Sequence, residues 1–309
     1  MVMQFTLKQL RYFDAALRTG SIAKAALEMN ISQSSITAAI DMLEQLIGVP
    51  LFRRVPAKGI MPTEAGKVAG KRIAEFLEQA RVFENDLSSL SGEPEGMLNL
   101  GCYAPTAPHV LPPLLKRIAE VYPAIRINLR EGDMQTIVDM LHSGAVDMAL
   151  TYRRSTPETM PFLPLFRARP WALLPDVSPL AQQDGVTIPE LADLPMIMLD
   201  LARAGEYFSS LFTAQGLTPN IVHSTKSSSV LRALVAANFG YSILNICSPA
   251  DRHGQNGYVA RPILGQVHDP LFGIAYTAAG QKSKLVQVVL EIGRDLERSG
   301  SYEPLLLPE

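Results

Sequence analysis

The side chains with the clearest chemistry are an amide and small hydroxyls crowded together: Ser32, Gln33, Ser34, Ser35 and Thr37. Such groups are short donors and acceptors, suited to reading base edges when their backbone lies close to a DNA groove. Ser32 also has the form of a helix N-cap, whose hydroxyl accepts an orphan backbone N–H. Further on, Arg53, Arg54 and Lys58 cluster cations. Contacts from such groups to phosphate supply affinity and its salt dependence rather than sequence choice. Chemistry of the bond-breaking kind has no residues to carry it. The chain contains no GxSxG elbow, no P-loop, no GxGxxG after a strand and no HExxH. His109, His142, His223, His253 and His268 are scattered without ligand spacing, and Cys102 and Cys247 lie far apart. No catalytic residue, metal site or cofactor is predicted, and both cysteines read as small core residues.

The hydroxyl cluster needs a helix to present it. Ser21–Gly48 reads as two short helices about a turn, with Ser21 and Ser32 as caps. Ile22, Ala25, Ala26 and Met29 recur at helical spacing in the first, and Ile36, Ile40, Leu43 and Ile47 in the second. Opposite these lie Gln33, Ser34, Ser35, Thr37, Ala38 and Asp41. On this pattern alone the segment reads as well as a helical hairpin in a larger core. An amphipathic helix before it (Leu7, Leu10, Phe13, Ala16, Leu17) completes the minimum core of a helix-turn-helix. After it, two extended pieces around a turn between Gly48 and Thr63 make a wing carrying Arg53, Arg54 and Lys58. Ten basic and five acidic residues through Arg72 give the head +5, and the remainder, with 18 and 25, carries −7. Only the head is therefore expected to meet a polyanion.

From Glu64 a long helix follows, with Ala69, Ile73, Phe76, Ala80, Phe83, Leu87 and Leu90 in 4-3 alternation. That spacing predicts a seam between two chains, hence a dimer; the alternative is a helix lying on its own domain. Ser91–Gly96 is rich in breakers and marks a boundary.

Gly20-Ser21 with Ala25-Ala26, Ser32-Gln33, Leu43-Glu44, Gly48-Val49-Pro50-Leu51-Phe52, Arg54 and Pro62-Thr63-Glu64-Ala65-Gly66 together resemble the DNA-binding head of a LysR-type transcriptional regulator. The resemblance in order of parts covers essentially the whole chain. It implies a DNA-binding homo-oligomer, commonly a tetramer, with an effector domain like a periplasmic binding protein. Its partners would be promoter DNA, a small-molecule effector and, as a candidate, RNA polymerase. Two departures stand out: Ala39 and Asp41 occupy recognition-helix positions where relatives often carry Gln and a basic residue.

From Met97 strands and helices alternate in βαβαβ order, predicting a parallel sheet with helices on its faces. WALLP, PMIML and GYSIL repeat the scheme. The expected organisation is a winged helix-turn-helix head at 1–63, a dimerising linker helix at 64–91, a hinge at 92–96 and a two-lobed α/β effector domain at 97–309. Lobe I takes about 97–169 and 271–309 and lobe II about 170–270, the crossings being implied by the resemblance. Ligands of open α/β sheets sit at strand ends and helix N-termini. The candidate lining is therefore Tyr103 and Thr106, Asp133, Arg203, Ser224 with Thr225, and Asn245, of which Thr106 and Thr225 match the family's turns best. Thr106 and the backbone N–H groups after it could hold an anion. Arg203 would welcome a carboxylate and Asp133 an amine, so an organic acid or a zwitterion is the expected effector. Asn245 stands where many relatives have proline.

At 309 residues the chain is too long for one ordinary core. No apolar run reaches a membrane span and the N-terminus lacks a signal-peptide pattern, so with two cysteines a reducing cytoplasm is expected. The alternative function is a solute-binding or enzymatic α/β protein with a helical appendage; the absent signal peptide and catalytic motif argue against it.

Overall fold

The computed structural model describes residues 5–55, 59–88, 94–252, 254, 256–278 and 280–306. Lys58 and Leu90 lie outside them. The chain forms two compact units, Met1–Glu84 and Asn85–Glu309.

The first unit begins with α1 (Leu7–Thr19), α2 (Ile22–Glu28) and α3 (Gln33–Ile47). Thr6 and Gln9 form a reciprocal capping box on α1, Ser21 caps α2 and Ser32 caps α3. Phe13, Ala16, Ala25, Ile36 and Leu43 are buried where the helices meet, and the two small alanines 25 and 26 let α2 come close. A hairpin of β1 (Phe52–Val55) and β2 (Gly59–Pro62) follows, antiparallel, with Arg54 opposite Ile60. Gly59 adopts φ +84°, and a Cβ there would stand 2.5 Å from the carbonyl oxygen of Gly20. That approach is what allows Ile60 N–H to donate to the same oxygen at 3.0 Å.

Helix α4 (Glu64–Ser88) starts from Thr63, whose hydroxyl accepts from Gly66 N–H. The seam expectation needs correction in its first part. Ile73 is buried, and Ala65, Ala69 and Leu77 pack with it on the head's own core. Gly70 sits against Leu17, whose side-chain tip would have to move to admit a Cβ. An i, i+4 ridge of the head's own helix thus takes Ala69 and Ile73. Ala80 is half-buried, while Phe76, Phe83 and Leu87 are exposed.

The second unit carries two sheets. The first has order β4-β3-β5-β12-β6, from β3 (Gly96–Tyr103), β4 (Ile125–Gly132), β5 (Met148–Tyr152), β6 (Phe162–Arg167) and β12 (Leu271–Tyr276). β4, β3 and β5 are parallel, whereas β12 runs antiparallel to both β5 and β6. The βαβαβ strands β3, β4 and β5 are thus parallel as expected, and the antiparallel β12 makes the sheet as a whole mixed. β12 enters this sheet from the far end of the chain, not through a βαβ crossover. Helices α5 (Ala107–Val121), α6 (Met134–His142) and α10 (Lys284–Arg298) cover it, α10 packing against α5 and β6.

The second sheet pairs β7 (Trp171–Pro175) antiparallel with β10 (Ser242–Leu244) and β11 (Tyr258–Pro262). A parallel pair, β8 (Met196–Leu199) and β9 (Ile221–Thr225), joins through a bridge from Met196 to Tyr241. α7 (Ile188–Ala192), α8 (Ala204–Thr213) and α9 (Ser228–Ala236) flank these strands. Chain passes between the sheets twice, and the passages are tied by Ala168 N–H donating to Pro270 O at 2.9 Å. Buried apolar side chains run continuously through both sheets, from Leu98 past Trp171 to Leu290.

Candidate functional site

In the first unit, α3 turns Gln33, Ser34 and Ala38 fully outward, with Ser35 and Thr37 half-exposed. Ser32 Oγ accepts from Ser35 N–H and shares hydrogen bonds with the hydroxyls of Ser34 (2.8 Å) and Ser35 (2.9 Å). Thr37 donates to Gln33 O, which leaves its lone pairs outward. Ala39 is buried in the head's core, whereas Asp41 is exposed. Glu44 Oε1 accepts from Leu51 N–H at 2.6 Å and Phe52 N–H at 3.0 Å, fixing the strand that carries Arg53 and Arg54. Both arginines are exposed, and among the described residues neither is in an ion pair. Arg18, by contrast, is held by Asp14 and Glu28.

In the second unit a small cavity lies between the two sheets, where the strand ends of β3 and β5 face α8, α9 and β10. Its free space is about 20 Å³, room for about one water. The cleft is closed. Tyr103, Thr106 and Asn245 line it, as the sequence predicts. Thr106 is buried and its hydroxyl donates to Tyr103 O at 2.8 Å, so the donor expected for an anion is already engaged. Asn245 Nδ2 donates to Ala168 O (2.8 Å) and to Tyr207 Oη (3.1 Å), and Tyr207 in turn donates to His268 O. Asn245 thereby ties both passages between the sheets, which a proline could not do.

Asp133, Arg203, Ser224 and Thr225 are not brought to the cavity wall. Asp133 caps α6 through Thr136 N–H, a use that explains its carboxylate without a ligand. Arg203 reaches away to Ser155 O and Gln135 Oε1, both at 3.2 Å, across the gap between the sheets. Thr225 accepts from Ser227 N–H and Ser224 is exposed.

Two arginines that sequence reasoning missed line the cavity instead, Arg154 and Arg232. Arg232 makes a two-pronged pair with buried Asp251, at 3.1 and 3.2 Å. Arg154 lies over the rings of Tyr152 (5.3 Å) and Tyr207 (4.2 Å) and donates to Arg203 O. Arg203 itself adopts φ +64°, a left-handed conformation that costs a non-glycine residue about 1 kcal/mol or more. Arg154 stands two residues past the end of β5, so the strand-end rule that picked out Tyr103 would have found it too.

Residues 7–67 match the bacterial regulatory helix-turn-helix protein, lysR family, and residues 91–297 match the LysR substrate binding domain. The chain belongs to the LysR family of transcriptional regulators: it is a ligand-responsive, DNA-binding regulator and not an enzyme. Members bind promoter DNA and small-molecule effectors and oligomerise. HinK, a LysR family transcriptional regulator from Pseudomonas aeruginosa, is 31% identical with a TM-score of 0.61, covering 94% of this chain and 98% of its own. The HTH-type transcriptional activator CmpR of Synechocystis is 29% identical over 292 residues, 93% of this chain and 92% of CmpR. The HTH-type transcriptional regulator YvbU of Bacillus subtilis is 24% identical over 294 residues, 94% of this chain and 98% of YvbU.

Proposed function

We propose that a small molecule entering the cleft between lobe I (about 97–169 and 271–309) and lobe II (about 170–270) changes how paired heads sit on promoter DNA. The observation that carries this is the closed cavity itself: with room for so little, a ligand must part the lobes, so only a ligand with unequal affinity for open and closed forms can enter and signal. In the head, Gln33, Ser34, Ser35 and Thr37 select sequence, Ser21 and Ser32 hold the helices that present them, and Ala38 allows close approach. Arg53, Arg54 and Lys58 hold the phosphates. Helices α4 of two chains pair through Phe76, Phe83 and Leu87, and dimers assemble further into a tetramer. The complex works in the cytoplasm, with RNA polymerase as its further partner and an organic acid or zwitterion as effector.

Two titrations test this. Replacing Arg54 by Ala should weaken binding to every duplex and flatten the salt slope by about one unit, whereas Gln33→Ala should cost mainly sequence preference. An unchanged slope removes Arg54 from the interface. A small molecule found by thermal-shift screening should alter the footprint of the full chain on DNA; tight binding with an unaltered footprint refutes the coupling.

A further inference from the structure

Among the described residues, one cation of the cleft has no carboxylate at ion-pair distance. Arg232 is matched by Asp251 in a two-pronged pair. Arg154 has no carboxylate within ion-pair distance among the described residues, and its Nε is buried without a hydrogen-bond partner. Its known donation goes to a neutral carbonyl, that of Arg203. Its other neighbours are the faces of Tyr152 and Tyr207, which give a guanidinium some comfort but do not occupy its Nε–H. Burial holds Arg154 below the usual arginine range, and the nearby tyrosines and Glu206 only partly oppose this. A desolvated cation without an anion is costly to keep, and it is relieved when an anion arrives with the ligand.

The rest of the wall limits what that anion can be attached to. Around Arg154 the cavity is lined largely by apolar side chains, among them Met134, Leu199, Phe208, Leu244 and Ile246, while the polar groups Thr106, Asn245 and Arg232 are engaged within the fold and Ser228 adds a hydroxyl on α9. A planar fork of donors fits a carboxylate best, and an apolar wall favours a hydrocarbon body over a second charge. Asp133, which would have drawn an amine, caps α6 outside the cavity. Arg203, which would have competed for the carboxylate, is engaged by Ser155 and Gln135.

We propose that Arg154 is the carboxylate receptor of the cleft and that the effector is a small monocarboxylate with an apolar body. The proposal rests on the cleft being the effector site. A ligand carboxylate on the Arg154 donors would compete with the bond to Arg203 O, one of the contacts that close the two lobes on each other. The same residue then recognises the ligand and releases the latch.

Butyrate, hexanoate and phenylacetate, each against its neutral amide, test the proposal on the full-length chain by thermal shift and calorimetry. At least one carboxylate should bind and its amide should bind about tenfold or more weaker, the usual worth of a charge-assisted pair. Arg154→Gln should remove that preference, and Arg203→Gln should keep it. If the Gln variant does not fold, Arg154→Lys retains the charge without the fork and should lose most of the affinity. Equal binding of acid and amide, a preference that survives Arg154→Gln, or no binding by any of the three acids overturns the assignment while leaving the cleft as the effector site. Arg154-dependent binding that leaves the DNA footprint unaltered upholds the receptor and refutes the regulatory reading instead.

Discussion

Glu44 on α3 and Leu51 before β1 are joined by a 2.6 Å hydrogen bond from the Leu51 N–H to Glu44 Oε1, and the same oxygen accepts from Phe52. A single carboxylate oxygen thus sets the wing against the helix that carries the hydroxyl cluster. Glu44→Ala would leave two part-buried N–H groups without their acceptor, a loss of about 1–3 kcal/mol. Glu44→Gln keeps a carbonyl oxygen for one geometry and should lose less. Denaturant unfolding would measure the difference. Equal stability of Glu44→Ala and the parent would show that water serves those N–H groups as well.

The long helix separates two roles that the heptad spacing had merged. Ile73 is 8% exposed and belongs to the head's own core, whereas Phe83 is 62% exposed. Ile73→Ala should destabilise the head by about 2–5 kcal/mol through lost burial and a cavity. Phe83→Glu should leave that stability within about 0.5 kcal/mol, the range of exposed-site changes, and should shift sedimentation toward smaller species. An unchanged oligomer in Phe83→Glu removes Phe83 from the contact between chains.

Cys102 and Cys247 are free and buried, and burial pushes each thiol up to about 12. Because the thiolate is the reactive form, both should resist iodoacetamide at neutral pH in the folded chain and react once it is unfolded. Mass spectrometry of the native and denatured protein reads this directly. Rapid native labelling of either cysteine would mean that the structure opens around it.

What could be read from residues alone was whatever short-range rules control. Caps at Ser21 and Ser32, the α3 apolar face, the wing and most of the α/β alternation follow from local spacing, and the structure has them. The antiparallel place of β12 did not follow, because a strand's partner is set by tertiary packing and not by its own pattern. Ala69 and Ile73 kept their helical period but faced a different neighbour, since a period does not say which surface it meets. In the cleft, strand ends found Tyr103, Thr106 and Asn245. They misplaced Arg203 because its left-handed backbone and outward bonds are invisible to residue type. Arg232 is legible only with Asp251, nineteen residues away in sequence.

That Arg232–Asp251 pair also gives the fold a pH dependence of known sign. Asp251 is 2% exposed. Burial alone would raise its carboxyl, but hydrogen bonds from Arg232 and from the Ser248 N–H and hydroxyl outweigh burial and hold it below the ordinary carboxylate range. A carboxyl that titrates lower when folded contributes stability in full above its unfolded value, near about 4. That stability is lost as pH falls through the folded value. Asp251→Asn should therefore destabilise the chain at neutral pH by about 3–5 kcal/mol, the cost of stranding a buried partner. It should also flatten the decline of stability below about pH 4, where the parent alone still has this carboxylate to lose. Melting temperatures of both proteins between neutral pH and pH 3 would show two curves that converge as acid is added. Parallel curves would mean that Asp251 keeps its proton balance unchanged on folding.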